Sequence, residues 1–393
     1  MGGFSRRAAH DEQNPFLREE FGTSVTDHAR AFGFREWPFR VVVDEAFSQV
    51  WADRTQLKHE IDRRLGIIVG LPHSTVQLMW ADFGAGKSHT LRHIEGICLR
   101  SEPKRLIPIY TELPPDLDGL SGLFQRFAET FPEGLLMEIG RKASAEQVSG
   151  GGAGARDLRQ ALKLLASGGA TEASIARDWF LAQPGVPNLR VLKSYNINSR
   201  IEEDGRIVEV LAELIRLVHA TDKGRAVVWM IDEYQRTADL TARRRESLSQ
   251  GFVSLFNKCT AGLHLVLSFS VAQQAAVAAL IPQALRSRAS LFPMLSLPFL
   301  TKEEATHFVS DLLAAFRVDE NKHGKLFPFT QESFQLVMNH VESSSKGGIT
   351  PRYLMEVLSQ LLFELYDMAE GELRLPLQPR ECKTALEHLL SSL

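Results

Sequence analysis

Residues Ala81 to Ser88 read Ala-Asp-Phe-Gly-Ala-Gly-Lys-Ser, directly after the apolar run Val76-Gln77-Leu78-Met79-Trp80. A strand that closes in a glycine-containing turn, followed by Lys-Ser and a helix, is the sequence form of a phosphate-cradling loop. The residue types have physical reasons. Backbone N–H groups that converge on an anion need compact residues, here Gly84, Ala85 and Gly86. A helix that begins near Lys87 adds its unpaired N–H groups and the positive end of its dipole. The Lys87 ammonium can reach terminal phosphates, and the Ser88 hydroxyl suits Mg²⁺. Asp82, Phe83 and His89 flank these residues and complete the candidate phosphate-binding set. The usual pattern opens with glycine, whereas this chain has Ala81. A left-handed alanine would cost about 1–2 kcal/mol, so a negative φ is expected there. Taken alone, the segment also fits an ordinary glycine turn between strand and helix.

A second segment narrows the choice. Arg225-Ala226-Val227-Val228-Trp229-Met230-Ile231-Asp232-Glu233 is an apolar run closed by two carboxylates. Such a run reads as a strand buried on both faces, as in a parallel sheet. Ligands of open α/β sheets sit at the carboxyl ends of the strands. Asp232 is therefore the candidate for the Mg²⁺ shell, with Ser88, and Glu233 for polarising an attacking water. A buried strand with two solvated acids at its exit is the plain alternative. The two segments together predict a site for ATP and Mg²⁺, with Lys87 and Glu233 carrying the chemistry.

Composition sets outer bounds. The 393 residues suffice for two or three packed units. With 45 Lys+Arg against 48 Asp+Glu the net charge is −3, so no global field draws the chain to nucleic acid or acidic membranes. Cys98, Cys259 and Cys382 are far apart and odd in number, which predicts a reducing compartment without disulfides or a zinc site. The twelve histidines include no H-E-x-x-H motif. No apolar run reaches bilayer length, the basic Met1 to Arg7 segment lacks the apolar stretch of a secretory signal, and Arg6 spoils the myristoylation pattern at Gly2. A soluble, cytoplasmic protein without membrane contact is expected.

The expected organisation is an arm over residues 1–36, a nucleotide-binding domain over 37–298 and a helical lid domain over 299–393. Val41-Val42-Val43, Asp44 and the periodic stretch Phe47, Val50, Trp51, Leu57 read as a helical lead-in running to Leu65, where Arg54 is more simply a solvated helix-face residue than a nucleotide contact. After the phosphate loop, Leu91, Ile94, Ile97 and Cys98 give a helix one apolar stripe. Further strands are expected at Leu106 to Glu112, where Pro108 favours a sheet edge, at Leu263 to Ser270, and at Leu291 to Leu297. Helical stretches between them imply a parallel sheet covered on both faces. Residues 136–205 break this rhythm. Ser149 to Ala155 reads as a flexible glycine linker and Ser167-Gly168-Gly169 as a second break, so the region is expected to be a mobile insertion. In the C-terminal region Thr301 with Glu304 fits a capping box, Thr330 a cap, and Thr350-Pro351 an N-cap followed by N1. The last of these helices carries Leu354, Val357, Leu358, Leu361, Leu362 and Leu365 on one face.

On these residues, from 37 to about 370, the chain resembles the AAA+ ATPases, and among them the origin-recognition type of replication initiator. The stretch from Ile175-Ala176-Arg177-Asp178-Trp179-Phe180 to Asp232-Glu233 also resembles bacterial ATP-binding proteins of the BREX phage-defence systems. The resemblance implies a three-layer P-loop NTPase sheet with a C-terminal helical lid. It implies that Ser268 or Ser270 is the polar sensor at the end of the fourth strand. It implies that Arg286 or Arg288 is an arginine finger offered to a neighbouring subunit, and that Arg352 in Gly348-Ile349-Thr350-Pro351-Arg352-Tyr353 is the lid's sensor arginine. A finger given in trans requires neighbours, so a homo-oligomer is expected, an ATP-dependent ring or filament. Arg243-Arg244-Arg245 fit either phosphate contacts or a solvated face; residues 371–393 resemble neither a winged helix nor a zinc module, so autonomous sequence-specific DNA binding is not expected.

The leading expectation is an ATP-hydrolysing motor, loader or regulatory subunit of a multi-protein DNA-transaction or phage-defence system, with its other subunits and DNA as partners. A nucleotide-gated switch with negligible turnover is the alternative, and a transposition regulator that coats DNA as a filament is a third.

Overall fold

The computed structural model describes residues 25–40, 47, 50–145, 151–183, 187–222, 224–319, 324–345, 347–369 and 373–391. The Gly2 segment, most of the expected arm, Val41 to Asp44 and the first residues of the glycine stretch, Ser149 and Gly150, lie outside them. The chain divides into two compact units, one holding residues 42–304 with 348–353, the other holding residues up to 41 with 305–347 and 354–393.

The first unit is built on a five-stranded sheet of β1 (Thr75–Ala81), β2 (Leu106–Glu112), β3 (Ala226–Asp232), β4 (Leu263–Ser270) and β5 (Leu295–Leu297). All pairings are parallel, in the order β2-β3-β4-β1-β5. β2 is an edge strand, where Pro108 removes no donor that an inner strand would need. β5 is only three residues long: of the expected run, Leu291 closes a 3₁₀ turn (Ala289–Leu291) and Phe292 to Met294 are irregular.

Side-chain alternation along the strands builds two cores. Leu78, Ile109, Val227, Trp229, Ile231, Leu265, Leu267 and Phe269 join the core shared with α4 (Gly119–Thr130), α9 (Asp204–Thr221) and α10 (Ala242–Lys258). Met79, Ala81, Val228, Met230 and Val266 point the other way, against α2 (Thr55–Gly70) and α3 (Lys87–Arg100). The result is a three-layer α/β P-loop architecture. The apolar stripe expected on α3 is the face it buries, with Leu91, Ile94 and Cys98 inside.

The stretch expected to be a mobile insertion is packed. α5 (Glu133–Ala145), α6 (Ala153–Ser167), α7 (Ala170–Phe180) and α8 (Leu189–Ser194) place Leu135, Leu158, Leu162, Trp179, Phe180 and Leu192 in the first core. Ala153 to Ala155 open α6 and are no linker. Their glycines have a steric reason. A Cβ on Gly152 would lie 2.2 Å from Glu209 Oε1, and the Gly154 N–H donates to Glu209 Oε2 at 2.8 Å. Glycine here permits close approach, whereas composition alone suggests flexibility. The break at Gly168-Gly169 does separate α6 from α7.

The lead-in also differs. α2 begins only at Thr55, because Asp53 (φ 50°) and Arg54 (φ 48°) are left-handed and cannot continue a helix. Short helices α11 (Gln274–Leu280) and α12 (Gln283–Arg288) follow β4. Thr301 and Glu304 form the expected capping box at α13 (Lys302–Phe316), with Thr301 N–H donating to Glu304 Oε2 at 2.8 Å and Glu304 N–H to Thr301 Oγ1 at 3.2 Å.

The second unit is helical, with α1 (Val25–Ala31), most of α13, α14 (Gln331–Ser344), most of α15 (Pro351–Met368) and α16 (Pro379–Ser391). Thr330 accepts from Ser333 N–H at 3.1 Å and caps α14. The apolar face of α15, from Leu354 to Leu365, is buried. The described end of the N-terminal stretch belongs to this unit: Trp37 stacks on Phe363 at 4.5 Å, and its Nε1–H donates to Ser359 Oγ at 3.0 Å.

Two glycines of α5 separate close packing from mere composition. A Cβ on Gly140 would fall 2.2 Å from Leu162 O and 2.9 Å from Ala166 Cβ, whereas one on Gly134 meets nothing within 4 Å. Gly140→Ala is expected to lower stability by about 1–3 kcal/mol through overpacking, and Gly134→Ala to raise it by about 0.4–1 kcal/mol. Urea unfolding of the two variants checks both signs.

Candidate active site

The carboxyl ends of β1, β3 and β4 bring the predicted residues together. Register does this: Ala81 faces Ser270 across β1 and β4, and Ile231 faces Leu267 across β3 and β4. β4 therefore stands between the strand feeding the phosphate loop and the strand carrying the two carboxylates. Ala81 keeps a strand conformation, so no glycine is needed there. Gly84 (φ 75°) and Gly86 (φ 94°) occupy the left-handed region that other residues rarely enter. The Asp82 carboxylate accepts from Phe83 N–H at 2.7 Å and its carbonyl from Ala85 N–H at 3.2 Å, which closes the turn. The Phe83 side chain is 65% exposed, while Ala85 is buried.

Lys87 opens α3 and is itself buried. Its ammonium donates to Asp232 Oδ1 at 2.5 Å and to Glu233 Oε1. The Ser88 hydroxyl donates to Asp232 Oδ2 at 2.8 Å. Ser268, fully buried, donates to Asp232 Oδ1 at 2.5 Å, and Ser270 to Glu233 Oε1 at 3.3 Å. The two serines left open by the sequence thus divide between the two carboxylates. Burial alone would raise the Asp232 pKa, but the Lys87 ammonium with the Ser268 and Ser88 hydroxyls holds it below the ordinary range. Asp232 is therefore an anion at neutral pH.

Three contributors carry no signal in the sequence pattern. Tyr110 on β2 donates to Asp232 Oδ2 at 3.1 Å; burial and the Asp232 charge push its phenol up, so it stays a donor. The Arg92 guanidinium lies 3.7 Å over the Tyr110 ring. Gln235 donates to Glu233 Oε2 at 2.6 Å. Arg54 is no solvated helix-face residue: it precedes α2, and its guanidinium donates to Ala85 O at 2.8 Å and Pro298 O at 2.7 Å. It ties the phosphate loop to the chain leaving β5. A lone arginine just before a helix of mixed composition is the only hint the sequence offers.

Other predicted residues lie elsewhere. Arg352 N–H donates to Gly84 O at 3.2 Å, and a Cβ on Gly84 would sit 3.1 Å from Arg352 Cβ, so the Thr350–Arg352 backbone abuts the phosphate loop with the Arg352 side chain exposed. Arg286 is exposed on α12. Arg288 donates to Asn257 Oδ1 at 2.9 Å and lies 5.5 Å over Phe256. It lines an open cleft with His73, Ser74 and Thr260. These residues precede β1 and β4, so Arg288 lies at the opposite end of the sheet from Lys87 of the same chain. His89 is half-buried beside Phe47, Trp51 and His93; burial and His93 lower its pKa to about 4, so it brings no charge to the loop at neutral pH.

Among the described residues no cluster of three or more His, Cys, Asp or Glu could hold a metal ion by itself. Mg²⁺ usually takes one or two carboxylates plus phosphate oxygens; Asp232 and Ser88, hydrogen-bonded at the loop, are the residues present that fit it. No described helix is long and apolar enough to cross a membrane. Cys98, Cys259 and Cys382 are free and buried.

No protein-family model matches the chain, and no curated protein matches it. Among solved structures it is similar to the Aeropyrum pernix ORC1 protein in complex with DNA (13% identity, 90% of this chain and 69% of that one, TM-score 0.45). It is also similar to the Aeropyrum pernix ORC2 protein in ADPNP and ADP complexes (12%, 85% and 67%, TM-score 0.47) and to Cdc6p from Pyrobaculum aerophilum (14%, 85% and 68%, TM-score 0.44).

Two histidines withdrawn from water, His264 buried and His89 half-buried, make stability depend on pH. His264, hydrogen-bonded to Thr75 Oγ1, is lowered by burial to about 3, and His89 to about 4. The unfolded chain protonates both near the ordinary value of about 6.5. The folded state therefore binds fewer protons, and this contribution is complete above pH ~6.5 and is lost as pH falls toward 4 and then 3. The urea midpoint is expected to drop between pH 7 and pH 5, and the drop to be smaller in His264→Gln. An equal drop in both proteins contradicts this assignment.

Proposed function

We propose that the chain is an ATP-binding and ATP-hydrolysing AAA+ protein of the origin-recognition type. One observation carries the reading: a buried lysine at a helix start and a buried aspartate at a strand end share a contact, with a second carboxylate and a serine hydroxyl in the same cluster. Phosphoryl transfer needs positioning and positive charge near the terminal phosphate more than covalent chemistry. Lys87 and the amides of Gly84 to Ser88 supply the charge and the cradle for phosphate oxygens. Mg²⁺ held through Ser88 and Asp232 would neutralise charge on the transferred group. Glu233, next in sequence to the metal carboxylate, is suited to orient and deprotonate water. Ser268 and Ser270 keep the two carboxylates apart and directed.

Arg288 supports a site completed by a neighbour, since it is exposed at the opposite end of the sheet from its own Lys87. A homo-oligomer assembled with ATP follows from that reading. The wider role proposed is a motor, loader or regulatory subunit of a DNA-transaction complex. A phage-defence setting draws its support from the Arg177–Phe180 sequence resemblance; in the fold Trp179 of that stretch is core, and its Nε1–H donates to Ser199 O at 2.7 Å. A nucleotide-gated switch with little turnover uses the same pocket, and steady-state hydrolysis with and without DNA separates the two.

Lys87→Ala is expected to abolish nucleotide binding, whereas Glu233→Gln should bind ATP and lose about 10²–10⁴ in turnover, as for a general base. Equilibrium binding and phosphate release measured on the same preparations check this; tight ATP binding by Lys87→Ala contradicts it.

Arg288→Ala is expected to lower turnover by about 10³–10⁵ if the arginine acts as a finger. Mixing it with Lys87→Ala should restore activity, because the second variant offers an intact finger to the first variant's intact pocket. No recovery over a range of mixing ratios argues against a site shared between subunits.

A further inference from the structure

Glu233 stands in a left-handed backbone conformation (φ 57°, ψ 35°), immediately before the 3₁₀ turn Tyr234–Asp239. That turn is anchored. Tyr234 is 1% exposed, with its ring 5.4 Å from Phe269 and 6.3 Å from Phe252, and Arg236 N–H donates to Glu233 O at 3.0 Å. Gln235 therefore leaves a fixed backbone. Its side chain bridges two strands: Oε1 accepts from the Ser270 N–H at 2.9 Å, and Nε2 donates to Glu233 Oε2 at 2.6 Å.

The two ends of an amide side chain are alike in shape, so its orientation must be set by its partners. Here the partner settles it. A backbone N–H can only donate, so the amide oxygen has to face Ser270 and the NH₂ has to face Glu233. The result is a directed N–H···carboxylate bond on the oxygen that Lys87 does not touch. Lys87 and Ser270 hold Oε1, and Gln235 holds Oε2, with the Arg236 Nε more distant at 3.9 Å from the same oxygen, which fixes the plane of the carboxylate. Lys87 is also the group expected to engage phosphate, so its hold on Glu233 competes with substrate, whereas that of Gln235 does not.

We propose that Gln235 is a positioning residue for the Glu233 carboxylate, locking it to the end of β4 while nucleotide is turned over. The proposal rests on the hydrolytic reading above. Gln235→Ala removes both bonds. Gln235→Glu is nearly isosteric and can still accept from Ser270 N–H, but replaces the donor to Glu233 with a second carboxylate, so it keeps the tie to β4 while turning the contact with Glu233 from attraction to repulsion.

The experiment uses the full chain and measures steady-state ATP hydrolysis and affinity for a fluorescent ATP analogue. The variants are Gln235→Ala, Gln235→Glu, Glu233→Gln and the double variant Glu233→Gln/Gln235→Ala, each checked for folding by circular dichroism. A misplaced catalytic group costs up to about 10² in rate. Expected are kcat values lowered about 10- to 100-fold in both Gln235 variants and analogue affinity within about twofold of the unaltered protein. The residual rate of Glu233→Gln should not fall further when Gln235 is also removed. Unchanged kcat overturns the proposal. So does the same fractional loss in the Glu233→Gln background, which marks a structural tie, and so does loss of analogue binding. An unaltered protein that binds ATP without hydrolysing it overturns the hydrolytic reading and, with it, the role of Gln235. Should Gln235→Glu fail to fold, Gln235→Ala and the double variant decide.

Discussion

The site depends on keeping one buried anion satisfied. Asp232 is 1% exposed at the end of β3, and a bare carboxylate there would cost several kcal/mol in lost hydration. It is surrounded by donors instead: Oδ1 takes Lys87, Ser268 and the Glu233 N–H, and Oδ2 takes Ser88 and Tyr110. Those donors come from β2, β4, the start of α3 and the chain after β3, so the anion holds together elements far apart in sequence. It also fixes register. A one-residue slip of β4 against β3 would turn Ser268 to the other face of the sheet and take one of the three donors from Oδ1. Burial of Asp232 thus requires the pairing that also gathers the rest of the site.

The phosphate loop is held from both sides in the same manner. Gly84 and Gly86 supply left-handed backbone that an alanine would resist by about 1–2 kcal/mol. Arg54 holds the Ala85 carbonyl, and the Arg352 N–H holds that of Gly84. Those two bonds fix the loop's backbone from outside, while Asp82 takes the Phe83 and Ala85 N–H groups from within. Asp53 and Arg54 are themselves left-handed without being glycine, a local strain that positions the guanidinium between the loop and the chain leaving β5.

Periodicity and motif spacing make the architecture legible in the sequence. The apolar runs ending at Ala81, Asp232 and Ser270 are strands, Pro108 marks an edge, and the threonines at 301, 330 and 350 cap helices. Lys87, Ser88 and Asp232 could be named because their spacing from strand and helix ends is local. Tyr110 and Gln235 could not, and Arg54 could be read only as a solvated helix-face residue or, more weakly, a nucleotide contact. Each acts through a hydrogen bond whose meaning depends on register or on a partner tens of residues away, and no period or composition encodes that. The glycine stretch before α6 fails for a related reason. Glycine composition reads alike whether it serves flexibility or close approach, and only the Glu209 carboxylate, 55 residues beyond Gly154, distinguishes the two. β5 is shorter than its apolar run because hydrophobicity does not distinguish a strand from the irregular chain of Phe292 to Met294 that precedes it.

The donor count at Lys87 links ligand binding to the second carboxylate. A lysine ammonium has three N–H donors, and two of them face Asp232 and Glu233. A triphosphate oxygen can take the third or displace Glu233, and the second course relieves an exchange that phosphate charge makes favourable. Asp232 would keep its other four donors in either case. Glu233 is different, because without Lys87 its close partners are Ser270 on one oxygen and Gln235 on the other. The firmer of these is the 2.6 Å bond from an amide whose orientation the β4 backbone dictates. The same event that seats a nucleotide would therefore transfer Glu233 from the short Lys87 contact to the Gln235 amide, with Arg236 3.9 Å from the same oxygen, leaving a carboxylate that the β4 backbone directs.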